Sequence, residues 1–158
     1  EVTGTPTLAT VATTGAYSDV TGTPAIPTDF VSAASGGTFS GNTSVGGELV
    51  ATSYNETYVS LSGTTPAVNC EAGNVFALST TGNTTFTFTN PPASGTAFGF
   101  MLRLSSGGAH TITWPTSVDF AGGTAPDAPA SGETNALVFT TTDGGTTWYG
   151  FQAGAAMA

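Results

Sequence analysis

Leu137-Val138-Phe139-Thr140-Thr141-Thr142-Asp143-Gly144-Gly145-Thr146-Thr147-Trp148-Tyr149-Gly150-Phe151 carries the plainest structural signal in the chain. Two runs of β-branched and aromatic residues flank Asp143-Gly144-Gly145, the turn chemistry that lets a chain reverse on itself. The stretch therefore predicts a β-hairpin, with strands over Leu137–Thr142 and Thr146–Phe151. Residues two apart on a strand share a face and neighbours oppose, so Trp148 and Tyr149 point to different sides.

The same texture extends back along the chain. Short strand runs are expected at Leu49–Ser53 and Thr57–Leu61 about Asn55-Glu56, at Val75–Ser79, and at Thr84–Thr89, where Phe86 and Phe88 alternate with threonines. Pro91-Pro92 stops that run, because proline donates nothing to a ladder. Ala97–Leu104 is more continuously apolar, as in a strand covered on both faces, and Ser105–Gly108 would turn it into His110–Trp114 as a second hairpin. Residues 116–132 read as loop. Helical periodicity is lacking, and 22 Gly with 9 Pro would interrupt any long helix. The fold class expected is all-β, with strands at roughly ten-residue spacing closing a jelly-roll-like β-sandwich.

The first part of the chain differs. Over residues 1–47 the sequence is small and polar, punctuated by Thr5-Pro6, Thr23-Pro24, Ile26-Pro27 and paired glycines. Its few large apolar residues include Leu8, Tyr17, Ile26 and Phe30, too few to offset the ordering entropy of an isolated segment. It reads as an extended stalk or linker, ordered by packing against other copies of itself. Residues 48–158 form the expected β domain.

Composition excludes whole classes of function. The chain of 158 residues has one basic side chain, Arg103, against ten Asp and Glu, a formal charge of −9. Nucleic-acid binding needs Lys and Arg to displace counterions from phosphates, so none is expected. Anionic membrane surfaces would repel the chain, and no apolar run is long enough to insert. Threonine, about a fifth of the sequence, supplies the surface polarity that charge does not. Neither an initiator Met nor a signal-peptide pattern stands at Glu1, which reads as part of a longer chain.

Candidates for chemistry are few. His110 is the sole histidine, with no acid beside it in sequence, and reads as an ordinary strand residue rather than a catalytic base. Cys70 stands alone and reads as a small buried hydrophobe. One His and one Cys cannot make a zinc site, so neither metal nor cofactor is expected. Asp119, Asp127 and Glu133 fall in the loop-like region, where a paired-carboxylate hydrolase would need them opposed; solvated charges are the plainer reading. Sequons at Asn42, Asn55 and Asn83 arise readily by chance in a chain so rich in hydroxyls. Aromatics are the stronger lead: Trp114, Trp148, Tyr149 and Phe151, where exposed, could stack on sugar rings or anchor a protein partner, and where buried are simply core.

Leu8-Ala9-Thr10-Val11-Ala12-Thr13, with Gly15-Ala16-Tyr17-Ser18-Asp19-Val20-Thr21-Gly22-Thr23-Pro24-Ala25-Ile26-Pro27, resembles a linker repeated across tail-fibre proteins of tailed bacteriophages. Ile112-Thr113-Trp114-Pro115 and Thr142–Phe151 are similar to terminal domains of the same group. Together these motifs cover about a third of the chain; Thr23 stands where a lysine commonly precedes the proline. The resemblance implies a homotrimeric virion fibre, not an enzyme, made in the host cytoplasm. Leu8, Tyr17, Ile26 and Phe30 would meet their equivalents in the trimer. The amino-terminal side would join other tail or virion proteins, and the terminal β domain would contact the host surface, through glycans bound by Trp114, Trp148 and Tyr149. Two rivals are a capsid or tail decoration module that binds virion proteins, and a fibre-borne polysaccharide depolymerase.

Overall fold

The computed structural model describes residues 43–157. Leu8, Tyr17, Ile26 and Phe30, with nearly all of the expected stalk, lie outside the described residues. The chain divides into two units, Glu1–Val50 and Ala51–Ala158. The fold below is that of the second.

Ten strands and one 3-10 turn make up this unit: β1 (Tyr58–Ser60), β2 (Ala67–Asn69), β3 (Val75–Thr80), β4 (Thr84–Thr85), β5 (Thr87–Thr89), β6 (Phe98–Ser106), β7 (Ile112–Thr113), β8 (Val118–Phe120), β9 (Thr134–Thr141) and β10 (Trp148–Met157), with the turn at Ala121–Gly123. The described residues are all-β. The main sheet runs β1-β3-β6-β9-β10-β8, and two small sheets, β2-β5 and β4-β7, lie apart from it.

Pairing direction departs from the expected jelly roll. Five of the seven ladders are parallel, and only β6-β9 and β9-β10 are antiparallel. Parallel neighbours need a crossover, since a tight turn joins only antiparallel strands. Here the crossovers are themselves strands: β2 links β1 to β3, and β4 and β5 link β3 to β6. The chain thus winds as a short coil, β1-β3-β6 forming one wall and the small sheets the others. The middle turn is bonded on both sides. Thr84 and Phe86 N–H groups donate to Thr111 and Thr113 of the following turn, while Thr85 and Thr87 donate to Thr64 and Pro66 of the preceding one. Successive N–H groups of an extended chain point in opposite directions, so one strand can serve two neighbours.

Two further departures accompany this geometry. Ser105–Gly108 does not make a hairpin, because both edges of β6 are already taken by β3 and β9; Ile112–Thr113 pairs instead with β4. Leu49–Ser53 forms no strand: it pairs with nothing among the described residues, and Leu49 and Val50 stand exposed although the outer edge of β1 is open. Ala97–Leu104 is also not covered on both faces: Phe100, Leu102 and Leu104 are buried, whereas Met101 is half-buried and Arg103 exposed.

The core lies between the main sheet and the small sheets, and aromatic rings fill it. Phe100 touches five others, with centroids 5.4 Å from Phe76, 5.1 Å from Phe88, 6.5 Å from Phe98, 5.1 Å from Phe139 and 5.4 Å from Trp148. Phe139 adds Trp114 and Phe120. Threonine is not only a coat: Thr80, Thr84 and Thr141 are buried. Their hydroxyls are bonded, to Ser106 and His110, to the Gly82 carbonyl, and to Asp143 respectively. Among the described residues no buried side-chain polar atom lacks a partner, as buried polar groups require.

The hairpin expected at Asp143-Gly144-Gly145 is present, pairing Tyr149 with Thr140 and Phe151 with Val138. Asp143 organises its turn. Its Oδ1 accepts from the Thr147 N–H at 3.0 Å and the Thr141 hydroxyl at 2.9 Å. Gly144 and Gly145 hold φ of 73° and 77°, in the left-handed region that side chains avoid. A Cβ on Gly145 would also stand 2.8 Å from Pro91 Cγ.

Two outcomes follow. Phe100→Ala should cost about 3–5 kcal/mol by leaving a cavity among five rings, read as a lower denaturant midpoint; Phe100→Leu should cost less. The second concerns acid. The bond from the Thr147 N–H is the main cause that holds the Asp143 carboxyl below its usual range; desolvation opposes it in part, and the Thr141 hydroxyl adds to the lowering. A carboxyl lowered on folding stabilises above its unfolded pKa and loses that contribution as pH falls through the folded value. Wild type should therefore lose stability below about pH 4 more steeply than Asp143→Asn, whose amide oxygen still accepts. Urea midpoints from pH 7 to pH 2 check this.

Candidate functional site

The three aromatic residues proposed for binding are separated by the fold. Trp148 is only 1% exposed, sealed among Phe88, Phe98 and Phe100. Trp114 is half-buried and stacked on Phe86, centroids 4.9 Å apart and planes 10° from parallel. Both belong to the core. Tyr149 alone reaches solvent, at 52% exposure. Alternation along β10 explains the split: Trp148 and Gly150 face the core, Tyr149 and Phe151 the outside.

Phe151 is 54% exposed, because the period of two that sends Tyr149 outward sends Phe151 with it. Strand lengths then make a cleft beside the pair. β8 spans three residues and covers β10 only from Trp148 to Gly150, whereas β10 runs on to Met157. Where β8 ends, the chain turns away through Ala121–Gly123, leaving the edge of β10 open. Two adjoining hollows of about 330 and 380 Å³ lie there, sharing Phe120, Ala121, Gly150 and Phe151 as walls. Asp119 and Tyr149 complete the first; Thr124, Pro126 and Gln152 complete the second. Asp119 pairs directly with Tyr149 in the β8-β10 ladder, which sets a carboxylate beside an outward ring.

The outer face of the main sheet leads up to this cleft. Tyr58, Val75, Met101, Val138 and Phe151 are paired in register across β1, β3, β6, β9 and β10, forming one apolar row. Tyr58 is 56% exposed at its far end. Those five strands contain no Asp or Glu, and their one charge is Arg103, flanked in register by Ala77 and Ala136.

The remaining candidates are dispersed. His110 Nδ1 lies 2.9 Å from the Thr80 hydroxyl, on the far side of β6 from Asp119 in strand order. Burial of Cys70 pushes its thiol up to about 11, so it stays protonated at neutral pH. Asp127 and Glu133 border a further hollow of about 220 Å³, which meets the second hollow of the cleft at Gln152 and does not include Asp119. There Glu133 Oε2 accepts the Ala130 N–H at 3.2 Å, and the buried Asn135 binds the Asp127 carbonyl and the Ala156 N–H. Among the described residues no three of His, Cys, Asp and Glu converge as a metal site, and no helix is long and apolar enough to cross a membrane.

Gly150 carries the cleft wall. A Cβ there would come within 2.5 Å of Phe120 Cε1, so the ring rests directly on the strand backbone. Gly150→Ala should displace Phe120 and cost about 1–3 kcal/mol, measured as a fall in thermal midpoint. No family model, curated protein or solved structure matches the chain.

Proposed function

We propose that this chain is a segment of a tail fibre of a tailed bacteriophage, a structural virion protein without enzymatic activity. In this reading residues 1–47 form a trimeric stalk, joined through its amino-terminal side to other tail proteins, and the β domain attaches the particle to the host surface. The observation that carries the reading is the outer face of the main sheet. In a chain with ten carboxylates and one cation, five adjacent strands present an apolar row with no carboxylate among them. Tyr58 and Phe151 are exposed, with half-buried Val75, Met101 and Val138 between them, and contiguous apolar surface marks association surfaces. Acidic copies repel one another everywhere except where carboxylates are lacking, and this face meets that condition. Packing through the half formed by β1, β3, β6 and β9 leaves the cleft at the β8-β10 edge free for a ligand, which suits a domain that both assembles and attaches. A decoration module would use the same face against a different virion protein, and the oligomeric state separates the two readings.

Ion pairs cannot hold such an assembly, because each copy brings only Arg103. Apolar burial and backbone hydrogen bonds must do so. Light scattering on the full chain should give the mass of a trimer, and a stable monomer overturns the fibre reading. The trimer should persist at about 1 M salt, where the screening length falls to about 3 Å and repulsion between acidic copies is suppressed. Val138→Glu places a charge within the row, between Met101 and Phe151, without touching the core, and should shift the mass towards monomer while leaving the thermal midpoint near wild type.

A further inference from the structure

We propose that the cleft at the β8-β10 edge binds a neutral oligosaccharide, with Tyr149 and Phe151 stacking on successive sugar rings and Asp119 accepting hydroxyl hydrogen bonds. This rests on the attachment reading above and names the ligand class of its site.

Three observations select that chemistry. First, Tyr149 and Phe151 lie two residues apart on the same face of β10, about 7 Å along the strand. A linear molecule lying along the strand meets two rings in succession. Both are about half exposed, so their faces are available without rearrangement. Second, the polar groups beside the rings are few and placed at the rim: the Asp119 carboxylate next to Tyr149, and the Gln152 amide and Thr124 hydroxyl beyond Phe151. A sugar ring needs this combination, since it presents C–H groups to an aromatic plane and a fringe of hydroxyls to acceptors and donors at the side. A carboxylate is an acceptor only, and its two oxygens can take both hydroxyls of a vicinal pair.

Third, charge excludes the acidic sugars. Arg103 is the single cation of the chain, and it lies on β6, three strands from Asp119 on β8. At about 4.8 Å per strand that is about 14 Å across the sheet, beyond the screening length of about 8 Å at physiological salt. A uronate, sialate or phosphate in the cleft would face Asp119 with no cation in reach, inside a chain of charge −9. Like charges at such distance oppose binding, so selectivity is written into the site as repulsion as well as attraction. The same argument excludes phosphopeptides and anionic lipid headgroups.

The test uses the full-length chain and calorimetric titration with maltotriose, mannotriose and chitotriose as neutral probes and trigalacturonate as the acidic one. At least one neutral trisaccharide should bind, and trigalacturonate should not. Tyr149→Ala, a change at an exposed side chain, should weaken neutral binding by about tenfold with the oligomer mass unchanged. Asp119→Asn should narrow the gap between neutral and acidic probes. Preference for trigalacturonate, neutral binding that ignores Tyr149→Ala, or no neutral binding at all would each overturn the inference. Trimeric mass in the same samples keeps the fibre reading standing if the sugar fails, whereas a monomer removes the fibre reading itself.

Discussion

The contact on which this structure depends is the cluster of rings around Phe100 and Phe139. β2-β5 is a ladder of three residue pairs and β4-β7 of two, and ladders so short are marginal in water on their own. Phe88, on the small-sheet side of the core, meets Phe100 and Phe139 of the main sheet edge-on at 5.1 and 5.2 Å, while Phe86 stacks on Trp114, which in turn lies 5.2 Å from Phe139. Such pairs add about 0.5–1.5 kcal/mol each beyond the area they bury. The rings thus clamp the two layers and hold the short ladders in register. They also explain where Trp114 and Trp148 went: in a coil this small, most large aromatic side chains are needed inside.

Scarcity of charge and abundance of threonine become one design when placed on this frame. Carboxylates of the described residues lie outside the five strands of the apolar row: Glu48 and Glu56 before β1, Glu71 before β3, Asp119 on the edge strand, Asp127 and Glu133 between β8 and β9, Asp143 in the hairpin. The broad face of the main sheet is left to Tyr58, Val75, Met101 and Val138. Threonine serves on both sides of the chain, outward as a polar residue of high strand preference and inward where its hydroxyl finds a fixed partner. A surface that avoids ion pairs is insensitive to ionic strength, a property that suits a particle outside a cell.

The cleft arises from unequal strand lengths rather than from a dedicated loop. β8 stops after three residues while β10 continues, and Gly150 lets Phe120 lie against the strand where they part. The exposed rings are therefore held by the most extensively paired part of the sheet, so the site has little ordering left to do on binding.

Much was determined by the sequence alone. Asp143-Gly144-Gly145 specifies its hairpin because the turn needs positive φ twice and a carboxylate to accept the Thr147 N–H and the Thr141 hydroxyl, requirements met by adjacent residues. The all-β class, the stop at Pro91-Pro92 and the opposed facing of Trp148 and Tyr149 are equally local consequences of backbone sterics and pleat. Other features depend on partners far apart in the chain and emerge only on folding. Parallel pairing was hidden because the coil has no fixed period: Tyr58 pairs with Val75 and Val75 with Met101, the second interval half as long again as the first. The failure of Ser105–Gly108 to form a hairpin was likewise hidden, since nothing local says that β3 and β9 already occupy both edges of β6. Asp119 and Tyr149 are 30 residues apart and meet only because β8 docks parallel to β10. Local sequence chooses the strand, the turn and the side on which each residue faces; which edges remain open, and so where a ligand can lie, is settled by long-range pairing that no short stretch contains.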